Sequence, residues 1–188
     1  DADKSSTAGA AFIFDEKSHF VLSKKSPLAA SCGTPLYAEL KQAGVACDFY
    51  YQNDLFNPAM PDYKLYFFAL SYQISEKERI AILQKLARNN AVAVWLYAPG
   101  YFDENYKADL KNMTNLTGFK FKMENQHREV ISRPVKNNPL FAGGDRLHTV
   151  THPLFFPENG EKIMTDSKGN TTFAVLKMPE WTSIYSLH

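Results

Sequence analysis

The stretch "AVAVWLYAPGY" (91–101) decides the fold. An apolar run of this kind is covered on both faces, as the central strands of a parallel sheet are. It closes in a sharp turn. In several families of α/β enzymes, a turn at that end of a strand holds the nucleophile over backbone N–H groups. Here the nucleophile's position falls on Ala98, and Pro99 beside it lacks an N–H to offer. A methyl group cannot attack. Tyr97, next in line, is a poor substitute, because a phenol with a pKa near ~10 is rarely ionised at neutral pH. The sequence describes an enzyme's frame with no chemistry at its elbow.

Outward from this strand the same texture repeats. "AAFIFD" (10–15), "CDFYYQ" (47–52) and "KLYFFAL" (64–70) read as three further strands. Thr34-Pro35 opens a helix, with Thr as N-cap and Pro at the first helical position, and Gly44 closes it. Ser75 and Glu78 have capping-box spacing ahead of the apolar stripe Ile80, Leu83 and Ala87 with Ile82 and Leu86. A weaker helix is expected over roughly 107–117, ending at Gly118. Past it, "FKFKME" alternates like a half-exposed strand, and "NTTFAVLKM" and "WTSIYSL" predict two more strands joined at Pro179-Glu180. Alternating strands and helices predict an α/β, flavodoxin-like three-layer sandwich with a mainly parallel sheet and extra antiparallel strands near the C-terminus. Residues 1–9 read as a linker or frayed terminus and 10–188 as a single domain. The chain begins at Asp1 without Met, which fits a piece of a larger protein.

In such a sheet, ligands bind beyond the carboxyl ends of the parallel strands. Those ends are Asp15, Gln52 to Asp54, Leu70 to Gln73 and Tyr97 to Asp103, and the candidate crevice residues are Asp15, Ser71, Tyr72, Tyr97, Ala98 and Tyr101. The aromatics among them, with Phe102, could stack on sugar rings, whereas Trp95 belongs to the core. Asp15 and Glu16 are adjacent carboxylates, but a glycosidase needs two facing a bond from either side, roughly 5–9 Å apart. Asp15 alone is expected to enter the crevice, with capping of a neighbouring loop as its more ordinary task. "DEKSHFVLSKKS" (15–26) reads as a solvated loop long enough to touch a partner.

"HTVTH" sets His148 and His152 four apart, but in extended sequence that spacing does not converge on a metal, and none is expected. Cys32 and Cys47 lack metal-ligand spacing; Cys47 reads as a buried small hydrophobe. Phe155 and Phe156 in "PLFFP" sit in loop-like sequence and are candidate interface residues. A net charge of +1 gives no reason to expect nucleic acid, and apolar runs of about ten residues are too short to span a bilayer. A soluble chain is expected, its compartment left open, export included.

"FIFDEKS", "GVACDFYYQNDL", "PDYKLYFFAL", "WLYAPGY", "LTGF" and "WTSIYS" follow in order along the chain, and together they resemble the beta-galactosidase trimerisation domain of family-42 glycoside hydrolases and related bacterial glycosidase-like proteins. That domain belongs to the class I glutamine amidotransferase-like superfamily, whose elbow Cys matches Ala98 here. His188 stands near the superfamily's catalytic His. The resemblance implies a non-catalytic domain without a cofactor. It assembles with copies of itself or with a catalytic domain of the same parent chain, and helps to shape a neighbouring active site. Two departures stand out: Ser71 where relatives often carry Asn, and no final helix after "WTSIYS". A sugar- or small-molecule-binding module using the strand-end crevice is the alternative.

Overall fold

A computed structural model describes residues 6–18, 22, 28, 34–135, 141 and 146–188. Strands β1 (Ala10–Phe14), β2 (Cys47–Tyr51), β3 (Leu65–Phe68) and β4 (Val92–Leu96) lie where the apolar runs predict them. Helices α1 (Thr34–Gln42), α2 (Glu76–Arg88) and α3 (Leu110–Thr117) lie between and after them. The capping signals act as expected. Ser75 and Glu78 form a reciprocal capping box on α2, and Gly118 ends α3 in the left-handed conformation. Cys47 is a buried free thiol, pushed up to about 11 by burial and by neighbouring Asp48. Cys32 falls outside the described residues.

The second half adds β5 (Phe121–Glu124), β6 (Val130–Pro134), β7 (Leu147–Thr149), β8 (Leu154–Pro157), β9 (Glu161–Thr165), β10 (Thr171–Lys177) and β11 (Thr182–Ser186). The large sheet runs β2-β1-β3-β4-β11-β10-β9-β6-β7, while β5 and β8 pair as a separate antiparallel ribbon. The first five strands in that order are parallel, so β11 belongs to the parallel set; β10, β9, β6 and β7 then alternate in direction.

Strand register divides the two faces cleanly. Ile13, Phe68, Trp95, Tyr185 and Ala174 form one row across the sheet, and all are fully buried. Ile82 and Leu86 of α2, Met113 and Leu116 of α3, and the β5–β8 ribbon belong to the same core. The neighbouring row on the opposite face is Phe49, Phe12, Phe67, Val94, Ile184 and Val175. Leu36, Tyr37 and Leu40 of α1 cover its Phe12 end. Val94, Ile184 and Val175 stay partly exposed and belong to neither packed cluster of the described residues. No helix among the described residues is long and apolar enough to cross a membrane.

Phe155 and Phe156 correct an expectation. Both lie in β8 and are fully buried, not displayed on a loop. The flanking prolines suggested a loop, but Pro157 is tolerated because β8 is half of a two-stranded ribbon with an open edge. Phe155 packs on Tyr97 and Tyr101, and Phe156 lies under the cationic groups of Lys122 and Arg128.

Candidate functional site

The elbow exists, shifted by one residue. The left-handed φ of +62° falls on Tyr97, not on Ala98. A bulky residue at positive φ is a strained position that persists only when its surroundings fix it. They do so here. Tyr97 N donates to Ser186 O at 2.8 Å, Tyr97 O accepts from the Tyr185 hydroxyl at 2.7 Å, and the Tyr97 hydroxyl donates to Pro153 O at 2.7 Å. Burial holds the Tyr97 phenol far above its ordinary pKa. The residue at the elbow is therefore a tied, neutral phenol, followed by a methyl group and a proline. Tyr97→Phe is expected to cost about 1 kcal/mol, the worth of one buried hydrogen bond, in urea denaturation.

Of the crevice residues, Asp15 and Tyr72 meet at one centre and Tyr72, Tyr97 and Tyr101 at another, while Ser71 and Ala98 are buried beside them. The first centre is Ser18, which sequence reasoning missed. Its hydroxyl donates to Asp15 Oδ2 at 2.7 Å and accepts from Tyr72 N at 2.7 Å and Gln73 N at 3.2 Å. Two backbone N–H groups at the end of β3 thus point at one oxygen, the arrangement that elsewhere receives a developing oxyanion. Here the chain's own side chain fills it. Asp15 also accepts from the backbone N–H groups of Lys17 and Ser18, so it caps the loop that carries the plug. Burial raises the Asp15 pKa, while the bonds from Ser18 and Lys17 hold it back.

The second centre is aromatic. Tyr72 meets Tyr97 edge-on at 5.6 Å, Tyr97 meets Phe155 at 5.4 Å, and Tyr101 meets Phe155 at 4.9 Å. Asp15, Ser71, Tyr72, Tyr97 and Ala98 are each 5% exposed or less, so the surface over them is closed. Tyr101 is partly exposed, its hydroxyl 3.5 Å from Met123 Sδ.

His148 and His152 do not converge on a common site, although His127 stacks on His152 at 5.7 Å and His148 lies close enough to His188 to influence its pKa. His148 pairs with Glu129 at 2.6 Å, and His152 Nε2 lies 3.1 Å from Asn125 O. His188 shares a hydrogen bond with the buried Ser132 hydroxyl, and burial lowers its pKa to about 4. A Ser–His contact resembles half of a hydrolytic dyad, but His188 Nδ1 is buried with no partner among the described residues. Among the described residues no carboxylate stands behind the imidazole to orient it as a base. No group of three metal-ligating side chains converges among the described residues.

A groove opens at the ends of β1 and β2. It has a volume of about 320 Å³ and is lined by Phe14, Asp15 and Lys17 on one strand end and Tyr51, Gln52 and Asn53 on the other.

No family model matches the sequence, and no curated protein is significantly similar to it. Solved structures are similar. The beta-galactosidase of Bacillus circulans sp. alkalophilus gives a TM-score of 0.75 at 14% identity, over 95% of this chain and 28% of that one. The beta-galactosidase of Rahnella sp. R3 gives 0.69 at 17% identity, over 95% and 28%. A GH42 beta-galactosidase from G. stearothermophilus gives 0.68 at 14% identity, over 95% and 27%. At such identities the likeness is one of fold. The chain spans little more than a quarter of each of these enzymes, and it has the fold of that region.

Proposed function

We propose that this chain is a non-catalytic, amidotransferase-like domain of a larger glycosidase-related protein, and that it works through contact with other protein. The partner is a second copy or the catalytic domain of the parent chain, whose active site the contact helps to shape. The occupied elbow carries this reading: Tyr97 is tied to Pro153 and Ser18 fills the pair of N–H groups, so neither nucleophile nor oxyanion site is free. The strand order β2-β1-β3-β4-β11 supports the flavodoxin-like assignment, being the 2-1-3-4-5 order of that doubly wound class. The partly exposed row Val94, Ile184 and Val175 supports the contact role, because apolar surface on a domain without chemistry favours an interface.

The chain is expected to turn over neither glutamine, nitrophenyl esters nor nitrophenyl glycosides. Turnover abolished by Tyr97→Phe or Asp15→Asn overturns the non-catalytic reading. Ile184→Lys in the full parent protein is expected to shift sedimentation toward smaller species, or to loosen the domain from its neighbours in limited proteolysis. An unchanged assembly and unchanged proteolysis overturn the contact role. Circular dichroism of the variant chain separates either result from unfolding.

A further inference from the structure

We propose that the groove at the carboxyl ends of β1 and β2 binds a neutral, hydroxyl-rich ring the size of a monosaccharide. Its volume of about 320 Å³ lies within the range of small-ligand sites. Tyr51 is 46% exposed, yet its ring is braced edge-on by Phe49 at 5.6 Å and by Phe14 at 6.3 Å. A braced, exposed aromatic face is a platform for the C–H face of a pyranose, and it loses little freedom when it is covered.

The polar lining narrows the ligand class. Gln52 is buried, and its Nε2 donates to Gln73 O and to Glu78 Oε1, both at 3.2 Å. Two acceptors on one side fix which end of the amide is nitrogen. Oε1 is left as an acceptor without a partner among the described residues. Gln52 is itself one of the residues that line the groove, which sets an amide with spare acceptor capacity at its wall. Asn53 on the rim offers a second amide, and paired donors and acceptors suit hydroxyls, which are both at once.

Charge argues against the rivals. The lining holds the carboxyls of Asp15 and Glu16 against one ammonium, Lys17, which is already 3.0 Å from Glu78. Among the described residues no lining cation is left for a phosphate or carboxylate ligand. An organic cation needs a free carboxylate below an aromatic cage. Here the buried Asp15 carboxyl already accepts from Ser18 and from two backbone N–H groups, and the other lining carboxyl, Glu16, is exposed to solvent and not enclosed below the aromatic rings. This site lies one strand away from the closed elbow and does not depend on the assembly role.

The test is a titration of the chain, followed by amide correlation spectra, with methyl β-D-galactopyranoside and methyl β-D-glucopyranoside. Choline and inorganic phosphate serve as competing probes. At least one pyranoside is expected to shift amides of residues 14–17 and 51–53, with a Kd of order ~1 mM for so small a ligand. Tyr51→Ala is expected to raise that Kd roughly tenfold or more while leaving the melting curve nearly unchanged, since the ring is half-exposed. The proposal is overturned if neither sugar moves those amides. It is overturned equally if choline or phosphate moves them more strongly, or if Tyr51→Ala binds as the parent does. Binding is read on the isolated chain and assembly on the full parent protein, so one reading can fail without the other.

Discussion

Phe155→Ala is expected to destabilise the fold by about 3–5 kcal/mol, the cost of emptying a fully buried Phe site. The ring is the centre piece of the aromatic cluster that closes the elbow, touching Tyr97 at 5.4 Å and Tyr101 at 4.9 Å. Its carbonyl also accepts from the Tyr185 hydroxyl at 3.0 Å, which docks the ribbon on the sheet. Removing the ring leaves a void between two rigid layers that cannot easily collapse. A loss of this size is a large part of a domain's usual 5–15 kcal/mol and lowers Tm by roughly 10 °C. Phe56→Ala supplies the contrast: Phe56 is 50% exposed, and its removal is expected to stay within about 0.5 kcal/mol. Urea denaturation of both variants decides the matter. If Phe155→Ala costs less than Phe56→Ala, the ribbon is not part of the core.

The same residue marks the limit of what the sequence discloses. Strands β1 to β4 are legible because both faces of each are at least half covered, which leaves an apolar run with no polar alternation. The helix ends are legible because Ser75, Glu78 and Gly118 act within a few residues of themselves. Strands β6, β7, β8 and β9 are not legible. All are short; β6, β7 and β9 are mixed in exposure, and β8, though wholly buried, rests on partners far along the chain, Phe155 and Phe156 on β5 and the sheet. The place of β11 beside β4 was not legible, because Val92 and Thr182 pair across about half of the chain.

The site divides in the same way. The expectation of a site at the strand ends follows from the apolar runs, and that positions 98 and 99 offer no nucleophilic side chain follows from Ala98 and Pro99. The position of the strained residue does not. Tyr97 holds its positive φ because Tyr185, 88 residues on, clamps its carbonyl. Ser18 left one faint signal, its spacing of three from Asp15, which suits a side-chain-capped turn. Its decisive contacts, to Tyr72 N and Gln73 N, are more than fifty residues away and leave no local mark.

Glu78→Ala is expected to cost about 2–3 kcal/mol at neutral pH and progressively less in acid. Glu78 is 2% exposed and joins the helix start to the strand ends. Its Oε2 accepts from Ser75 N at 2.7 Å and Ser75 Oγ at 2.6 Å, completing the cap of α2. Its Oε1 accepts from Lys17 Nζ at 3.0 Å and Gln52 Nε2 at 3.2 Å, bracing the loop after β1 and the groove wall. Alanine removes a cap worth about 1 kcal/mol and strands a buried amide donor worth about 1–3 kcal/mol. The Lys17 side chain is 42% exposed and regains water, which keeps the loss below that of a fully buried ion pair. Burial pushes the Glu78 pKa up, but the bonds from Ser75, Lys17 and Gln52 outweigh it and set the folded value below the ordinary 4.5. A lowered folded pKa contributes stability that is fully present above the unfolded value and lost as pH falls through the folded one. Asp15 has the opposite sign: its raised folded pKa makes the native state take up a proton more readily, so its titration favours the fold as pH drops. Asp15 titrates in both proteins, and in the comparison at each pH it cancels apart from the smallest cause of its raised pKa, the repulsion from the Glu78 charge, which the variant lacks. Melting curves of parent and variant between neutral pH and pH ~3 are therefore expected to converge below pH ~4.5. A gap that stays constant across that range would mean that the Glu78 charge, as distinct from its shape, contributes nothing to holding α2 and the loop after β1 against the sheet.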